Sequence, residues 1–314
     1  MNKHKLILMG GLHGELRVSA AVLHEAVGAL LEGARLATRF AVEGESVRKG
    51  PRPAWLDSAC AVDITGLSAG SAVIAMEAPT LREADAAKFG NDGQRSLFEE
   101  IDQGFGEQTA VDLFGQVLAA VVERGSDDVV ADRALLETCV RFARVSGGGF
   151  EGLRLEGLRG RETPLVITPA HVPQIELLRD ETPPPQAARV AGTLDTISAS
   201  RSDVILELKD GTKVPARMED HDLDALKKLL GKAVVVSGVA HYRPSGRLLL
   251  LDVESIGEAG AGDRVFETAP IARKRLPVVT PVAQDESSGV SAFFGTWPGH
   301  ESEEELLEAL QAIG

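Results

Sequence analysis

Aromatic side chains are scarce in this 314-residue chain, which holds ten Phe, two Trp and a single Tyr. Tyr242 is the only aromatic between residues 187 and 258, so a β-rich module there has little with which to stack bases. Basic charge is also short. Lys and Arg total 33 against 47 Asp and Glu, a formal net charge of -14, whereas nucleic-acid affinity draws largely on cations that displace condensed counterions. A basic partner suits this balance better than a polyphosphate. The two cysteines, Cys60 and Cys139, are far apart and form no C-x-x-C, which excludes a disulfide framework and reads as buried thiols in a reducing cytoplasm. No long apolar run is present: Leu6 to Met9 is broken by Gly10-Gly11 and then His13 and Glu15, too short for a membrane span or a secretory core.

Recognisable catalytic spacings are missing as well. The seven histidines, His4, His13, His24, His171, His221, His241 and His300, show no H-x-x-x-H or H-x-H ligand spacing and read as surface or capping residues, with no metal implied. `LMGGLHGE` has glycines after a strand but neither G-x-G-x-x-G nor a phosphate-loop lysine, so no nucleotide cofactor is implied. `GLSAG`, Gly66 to Gly70, matches a nucleophile elbow, but that motif needs a helix after Ser68 and Ala78-Pro79 leaves no room for one. A glycine-rich hairpin is the better account, and the expectation is a protein without catalytic activity.

Elements follow from periodicity. Leu6 to Met9 is expected to be the first strand, Ser19 to cap a helix through Leu31, and Phe40 to Val42 to return as strand. Trp55 follows a Pro-rich turn, and Ala61 to Thr65 and Ser71 to Met76 read as extended segments. Apolar residues at helical spacing predict helices over Gln108 to Glu123 and Val130 to Arg144, with short strands at Leu153 to Leu155 and Leu165 to Ile167. `TPPPQAA`, Thr182 to Ala188, is an extended spacer and places a domain boundary. Beyond it, Arg189 to Ser198, Asp203 to Leu208 and Lys213 to Met218 alternate as strands. A helix opens at Asp220 with Leu223, Leu226, Leu229 and Leu230 on one face, and Lys232 to Tyr242 and Arg247 to Ile256 return to strand. The order β-β-β-α-β-β over 187–258 resembles the OB-fold, a five-stranded Greek-key barrel. Were it to bind nucleic acid, the candidates are Arg201, Lys213, Arg217, Tyr242 and Arg243.

The last segment has a different character. In `SAFFGTWPGHESEEELLEALQAIG`, Phe293, Phe294 and Trp297 sit on an otherwise polar stretch, and residues 285–314 contain no Lys or Arg. Ser302 and Glu305 form a capping box for a short helix with Leu306, Leu307, Leu310 and Ile313 on one face. A helix of that length is marginal alone, so it is expected to dock, either on its own protein or on a partner. `FFGTWPGHESEEELLEAL`, Phe293 to Leu310, resembles the C-terminal toxin-neutralising tails of bacterial type II antitoxins. The resemblance implies a neighbouring-gene partner, a ribonuclease toxin of the PIN-domain class. Phe293, Phe294 and Trp297 would be its anchors, Leu306, Leu307 and Leu310 its helix-in-groove contacts, and Glu301, Glu303, Glu304, Glu305 and Glu308 the cover of its basic groove. Antitoxin tails commonly carry a basic residue into the toxin's carboxylates; its absence here leaves occlusion as the means of inhibition.

The expected fold class is therefore α+β: a mixed α/β-sheet domain over 1–181, an OB-like barrel over 187–258, a linker over 259–288 and a mostly extended partner-binding tail over 289–314. The function expected is a non-enzymatic, antitoxin-like inhibitor, with an OB-fold nucleic-acid-binding adaptor as the alternative.

Overall fold

The computed structural model describes residues 1–10, 18–48, 50–68, 72–90, 104–147, 150–198, 203–218, 223–272 and 302. Contacts divide the chain into two units, residues 1–274 and 275–314. The architecture that follows belongs to the first.

Its first layer is an antiparallel five-stranded sheet in the order β2-β3-β1-β4-β5, built from β1 (Asn2–Met9), β2 (Asp63–Ser68), β3 (Ala72–Ala78), β4 (Gly152–Glu156) and β5 (Leu165–Ile167). Leu6 and Leu8, Ile74 and Met76, Leu153 and Leu155, and Leu165 and Ile167 turn one face of it into a single core with the helices. Alternation is visible along β3 and β5 and at the start of β1, where Lys3 and Lys5 are exposed, whereas the edge strand β2 has Asp63 to Leu67 exposed.

The longest helix, α1 (Ala20–Glu43), starts where Ser19 accepts the Val22 N–H and stops at Gly44, whose φ of 78° is the left-handed cap that favours glycine. The sequence expectation of a strand at Phe40 to Val42 is overturned, because these residues form its last turns. Nothing between Leu31 and Gly44 breaks a helix strongly enough, and Ala34, Ala37, Phe40 and Ala41 continue the buried stripe. Gly33 lies where α1 meets α5 (Ala110–Glu123), and a methyl group there would run into the Phe114 ring. Phe114 in turn meets Phe142 of α6 (Arg133–Val145) edge to face, with ring centroids 5.6 Å apart. Three short helices, α2 (Ala54–Ala59), α3 (Leu81–Ala84) and α4 (Ala86–Phe89), and the fuller α7 (Val172–Glu181) are additions that apolar spacing did not announce.

A buried polar cluster ties β1 to α5. Thr109 and Asp112 form a capping box, and Asp112 also accepts the Arg159 backbone N–H at 2.8 Å. His4 Nε2 lies 3.0 Å from the Thr109 hydroxyl, and the ring is 1% exposed. A surface position was expected for His4; it is instead a core residue, and burial lowers its pKa against the opposing charge of Asp112. Both cysteines are free. Cys139 is fully buried, and burial pushes the Cys60 thiol up to about 12.

The second layer is a closed barrel of β6 (Gln186–Ser198), β7 (Asp203–Glu207), β8 (Lys213–Arg217), β9 (Ala233–Tyr242) and β10 (Leu248–Glu258), in the order β10-β8-β7-β6-β9. β10 closes the ring by pairing antiparallel with β9 and parallel with β8. That strand order, with α8 (Leu223–Lys227) between β8 and β9, is the Greek-key pattern of an OB-like barrel. β6 is long enough to pair with β9 along one half and β7 along the other, and an irregularity between Leu194 and Thr196 lets it curve. The helix expected from Asp220 is shorter than its leucine pattern suggested: Leu226 plugs the barrel core and Leu229 packs beside it, while Leu223 and Leu230 are exposed. Residues 219–222 lie outside the described residues.

The stretch after Ala259 was expected to be linker, yet Ala261–Phe266 forms a 3-10 turn and Ala272 is buried against the barrel core. Arg189 meets both Asp263 and the Phe266 ring, Lys209 pairs with Glu267, and the Ala272 N–H donates to the Gly246 carbonyl, long-range contacts that leave no local periodicity. The remainder of the expected linker and the whole of the expected tail except Ser302 lie outside the described residues. Among the described residues, no helix is long and apolar enough to cross a membrane.

Two outcomes are expected. Gly33→Ala should destabilise the protein by about 1–3 kcal/mol in urea unfolding, because the α1–α5 crossing has no room for a methyl group. Because the His4 pKa is lowered in the folded state, its contribution to stability is present above the ordinary histidine value of about 6.5 and lost as pH falls below it. Urea stability should therefore decline between pH 7.5 and 5 more steeply in the wild type than in His4→Gln.

Candidate functional site

Charged side chains from β8, β9, β10 and the loop after α1 meet where barrel and helical layer touch. Parallel pairing of β8 with β10 sets Arg217 directly beside Asp252, and β9 brings His241 in from the antiparallel neighbour. Glu45 arrives from the helical layer. Gly44 turns the chain out of α1, and Ser46 then binds Asp132 twice, its N–H to Oδ2 at 2.8 Å and its hydroxyl to Oδ1 at 2.7 Å. Asp132 Oδ1 also caps α6 by accepting the Leu135 N–H at 2.9 Å. Glu45 is thus held between two anchored helix ends.

At the centre, Arg217 Nη2 lies 2.9 Å from Glu45 Oε1 and 2.5 Å from Asp252 Oδ1, and Nη1 donates to the Glu43 carbonyl at 2.8 Å. His241 Nε2–H donates to Asp252 Oδ2 at 2.8 Å and stands 3.6 Å from Glu45 Oε1. The Arg217 side chain is 10% exposed, and those of Glu45, His241 and Asp252 are 19%, 18% and 27% exposed. Burial opposes charge on Arg217, but Asp252 and Glu45 outweigh it and hold the guanidinium pKa above its ordinary value. For Asp252, too, burial pushes toward the neutral acid. The His241 hydrogen bond and the charges of Arg217 and His241 together win, so its carboxyl sits below the usual range.

What this arrangement does first is mechanical. One guanidinium serves two carboxylates and a helix-end carbonyl drawn from both layers, and such planar multi-donor geometry is what arginine supplies and lysine does not. Glu45, His241 and Asp252 are also the group among the described residues whose side chains could supply ligands to one metal ion. Spacing could not have found them, because residues 45, 241 and 252 meet only through the fold.

The residues singled out for nucleic-acid binding are not brought together on an open face. Arg217 is consumed in the cluster, and Tyr242 is 4% exposed within the barrel core; both had been expected to face a strand. Strand alternation buries Tyr242 with Ala240 and Val236, and the parallel β8–β10 pair turns Arg217 toward the helices. Lys213 is on β8, half-exposed and 3.7 Å from Asp195. The Arg243 backbone N–H closes the β9–β10 turn onto the Arg247 carbonyl at 2.8 Å. Arg201 lies outside the described residues, as do Phe293, Phe294, Trp297, Glu301, Glu304, Leu306, Leu307 and Leu310. Ser68 ends β2 and the next element is the strand β3, so the strand–turn–helix of a nucleophile elbow is not formed there. His171 caps its own 3-10 turn, as expected, by accepting the Thr168 N–H at 3.0 Å.

No protein-family model matches the chain, and no curated protein matches it. Among solved structures it is similar to that of U. maydis replication protein A bound to ssDNA, at 16% identity over 28% of this chain and 70% of that chain, with a TM-score of 0.18. The OB-like barrel rests on its own strand order and not on that likeness.

Arg217→Ala should cost about 3–5 kcal/mol in urea unfolding, since it strands two partly buried carboxylates. Adding Glu45→Gln and Asp252→Asn to it should recover part of that loss, because the stranded charges are gone. On the acid side, the lowered Asp252 pKa gives stability that is present above the ordinary Asp range and lost as pH falls through the folded-state value. The acid limb of the stability profile should therefore flatten in Asp252→Asn.

Proposed function

We propose that the protein is a non-enzymatic inhibitor that binds a ribonuclease toxin through residues 289–314 and blocks its RNA groove by occlusion. The observation that carries this reading is the segment itself: three aromatic anchors, Phe293, Phe294 and Trp297, precede an acidic helix pattern, and residues 285–314 hold no Lys or Arg. An acidic, aromatic-rich segment complements a basic groove electrostatically and supplies anchors for apolar pockets. The division of the chain at residues 274 and 275 supports treating the segment separately from the barrel.

On this reading the sheet layer and the barrel form the body that carries the binding segment. The alternative, in which the OB-like barrel binds single strands, is supported by its fold class and retains Lys213 and Arg243 together with Arg201. It loses Arg217 and Tyr242, which are buried, and with Tyr242 the one stacking side chain of that module.

The test is co-expression with the neighbouring open reading frame and affinity capture by the full chain and by a version ending at Gln284. Capture of a small basic protein by the full chain alone, with loss of that protein's ribonuclease activity in the complex, is the expected result. Equal capture by both versions overturns the role of residues 289–314. Salt-sensitive binding of single strands by both versions, with no protein captured, favours the alternative.

A further inference from the structure

We propose that Glu45, His241 and Asp252 form a binding site for a divalent transition-metal ion of the zinc class, with Arg217 holding the Asp252 oxygen that the metal does not use. The inference is independent of the function proposed above.

One ligand atom from each of the three residues lies within 4.8 Å of the others. An ion bound at about 2.0–2.1 Å with tetrahedral angles holds its donors about 3.3 Å apart. The separation of 3.6 Å between His241 Nε2 and Glu45 Oε1 is close to that span, and the 2.8 Å between His241 Nε2 and Asp252 Oδ2 needs to open by about half an ångström. In the metal-free cluster a proton occupies the second gap. Binding replaces it: the imidazole coordinates through the Nε2 lone pair with its one proton on Nδ1, so a neutral ring shifts its proton from Nε2 to Nδ1 with no net release and a doubly protonated ring gives one proton to solvent.

The donor set selects the class of ion. One imidazole nitrogen with two carboxylates suits Zn²⁺ or Co²⁺, whereas Ca²⁺ and Mg²⁺ prefer oxygen alone. Charge points the same way. Arg217 offsets one of the two carboxylates, and an imidazole that ligates through Nε2 carries no charge, so the metal-bound ligand set with Arg217 sums to one negative charge, which a dication compensates.

Arg217 is the obvious objection, since a guanidinium already sits against both acids. At Asp252 its contacts divide the oxygens, Nη2 taking Oδ1 while Oδ2 faces His241. At Glu45 it meets Oε1, the oxygen nearest His241, so Glu45 ligates either through Oε1 with Nη2 kept as its hydrogen-bond donor or by turning Oε2 inward. An arginine that fixes one oxygen of a ligating carboxylate is an outer-shell partner that orients the ligand. The strands provide rigidity, with His241 and Asp252 on neighbouring β9 and β10, and Glu45 is held by the Ser46–Asp132 anchor. Three protein ligands, each 18–27% exposed at the side chain, leave an approach from solvent and room for a fourth, non-protein ligand.

The experiment uses the full chain without an affinity tag, stripped with chelator and then titrated with Co²⁺ and, separately, Zn²⁺. Expected are visible d–d absorption bands that saturate at one Co²⁺ per chain, their bleaching by Zn²⁺, and calorimetric Zn²⁺ binding weakened at least tenfold in His241→Ala. Glu45→Gln should weaken Zn²⁺ binding similarly; it preserves side-chain volume and serves if the alanine variant fails to fold in chelator. Absence of saturable binding by the wild type overturns the site and leaves Arg217 as the cluster's resident cation. Binding of equal strength in the wild type and a folded ligand variant overturns it too, by assigning the ion to other residues.

Discussion

Arg217 is the interaction on which the arrangement of the two layers depends. A guanidinium removed from water needs its donors met and its charge balanced, and here that is done by Glu45, Asp252 and the Glu43 carbonyl. Two of these partners belong to the end of α1 and its exit loop, and one belongs to the barrel. The charge therefore cannot be satisfied by either layer alone. This explains why the exit from α1 is so firmly specified, by Gly44 in the left-handed region and by Ser46 bound through both backbone and hydroxyl to the residue that caps α6. The same requirement takes Arg217 away from the solvent-facing role that its place in a β-strand of an OB-like module suggested.

Apolar packing reinforces the joint. β10 contributes Leu249 and Leu250 to the core of the sheet-and-helix layer, while Leu251 and Val253 go to the barrel core. An irregularity in the β9–β10 register between Leu248 and Leu250 permits successive leucines to be buried on different sides. One strand is thereby shared by two hydrophobic cores, and the ionic cluster sits at its side. Within the first layer, α1 presents Ala26, Ala29, Gly33, Ala34 and Ala37, small residues that let it approach α5 and α6 closely.

These constraints bear on function by showing where the polar chemistry of the described residues is directed. Among the described residues of the barrel, Arg217 is taken up by the ionic cluster and the one tyrosine, Tyr242, belongs to the core. That turns attention to residues 289–314, whose aromatic and acidic pattern is read from sequence alone. It also turns attention to the Glu45–His241–Asp252 cluster, whose chemistry is visible only in the fold. The two lie in different units of the chain and rest on unrelated observations.

Sequence periodicity by itself determined the α+β class, the helices at α5 and α6, the strand β5 to the residue, and the five barrel strands in their order along the chain, an order that resembles the OB-fold. It did so because alternation and helical spacing are local consequences of burying one face of an element. The extent of α1 was misread at Phe40 to Val42, since a short apolar run has no period long enough to tell helix from strand. Tertiary structure alone decided that His4 and Tyr242 are core residues, that Arg217 bridges two layers, and that Glu45 meets His241 and Asp252. Parallel closure of β8 onto β10 and the turn after α1 bring those residues together across nearly two hundred positions, and no local pattern encodes a contact of that range.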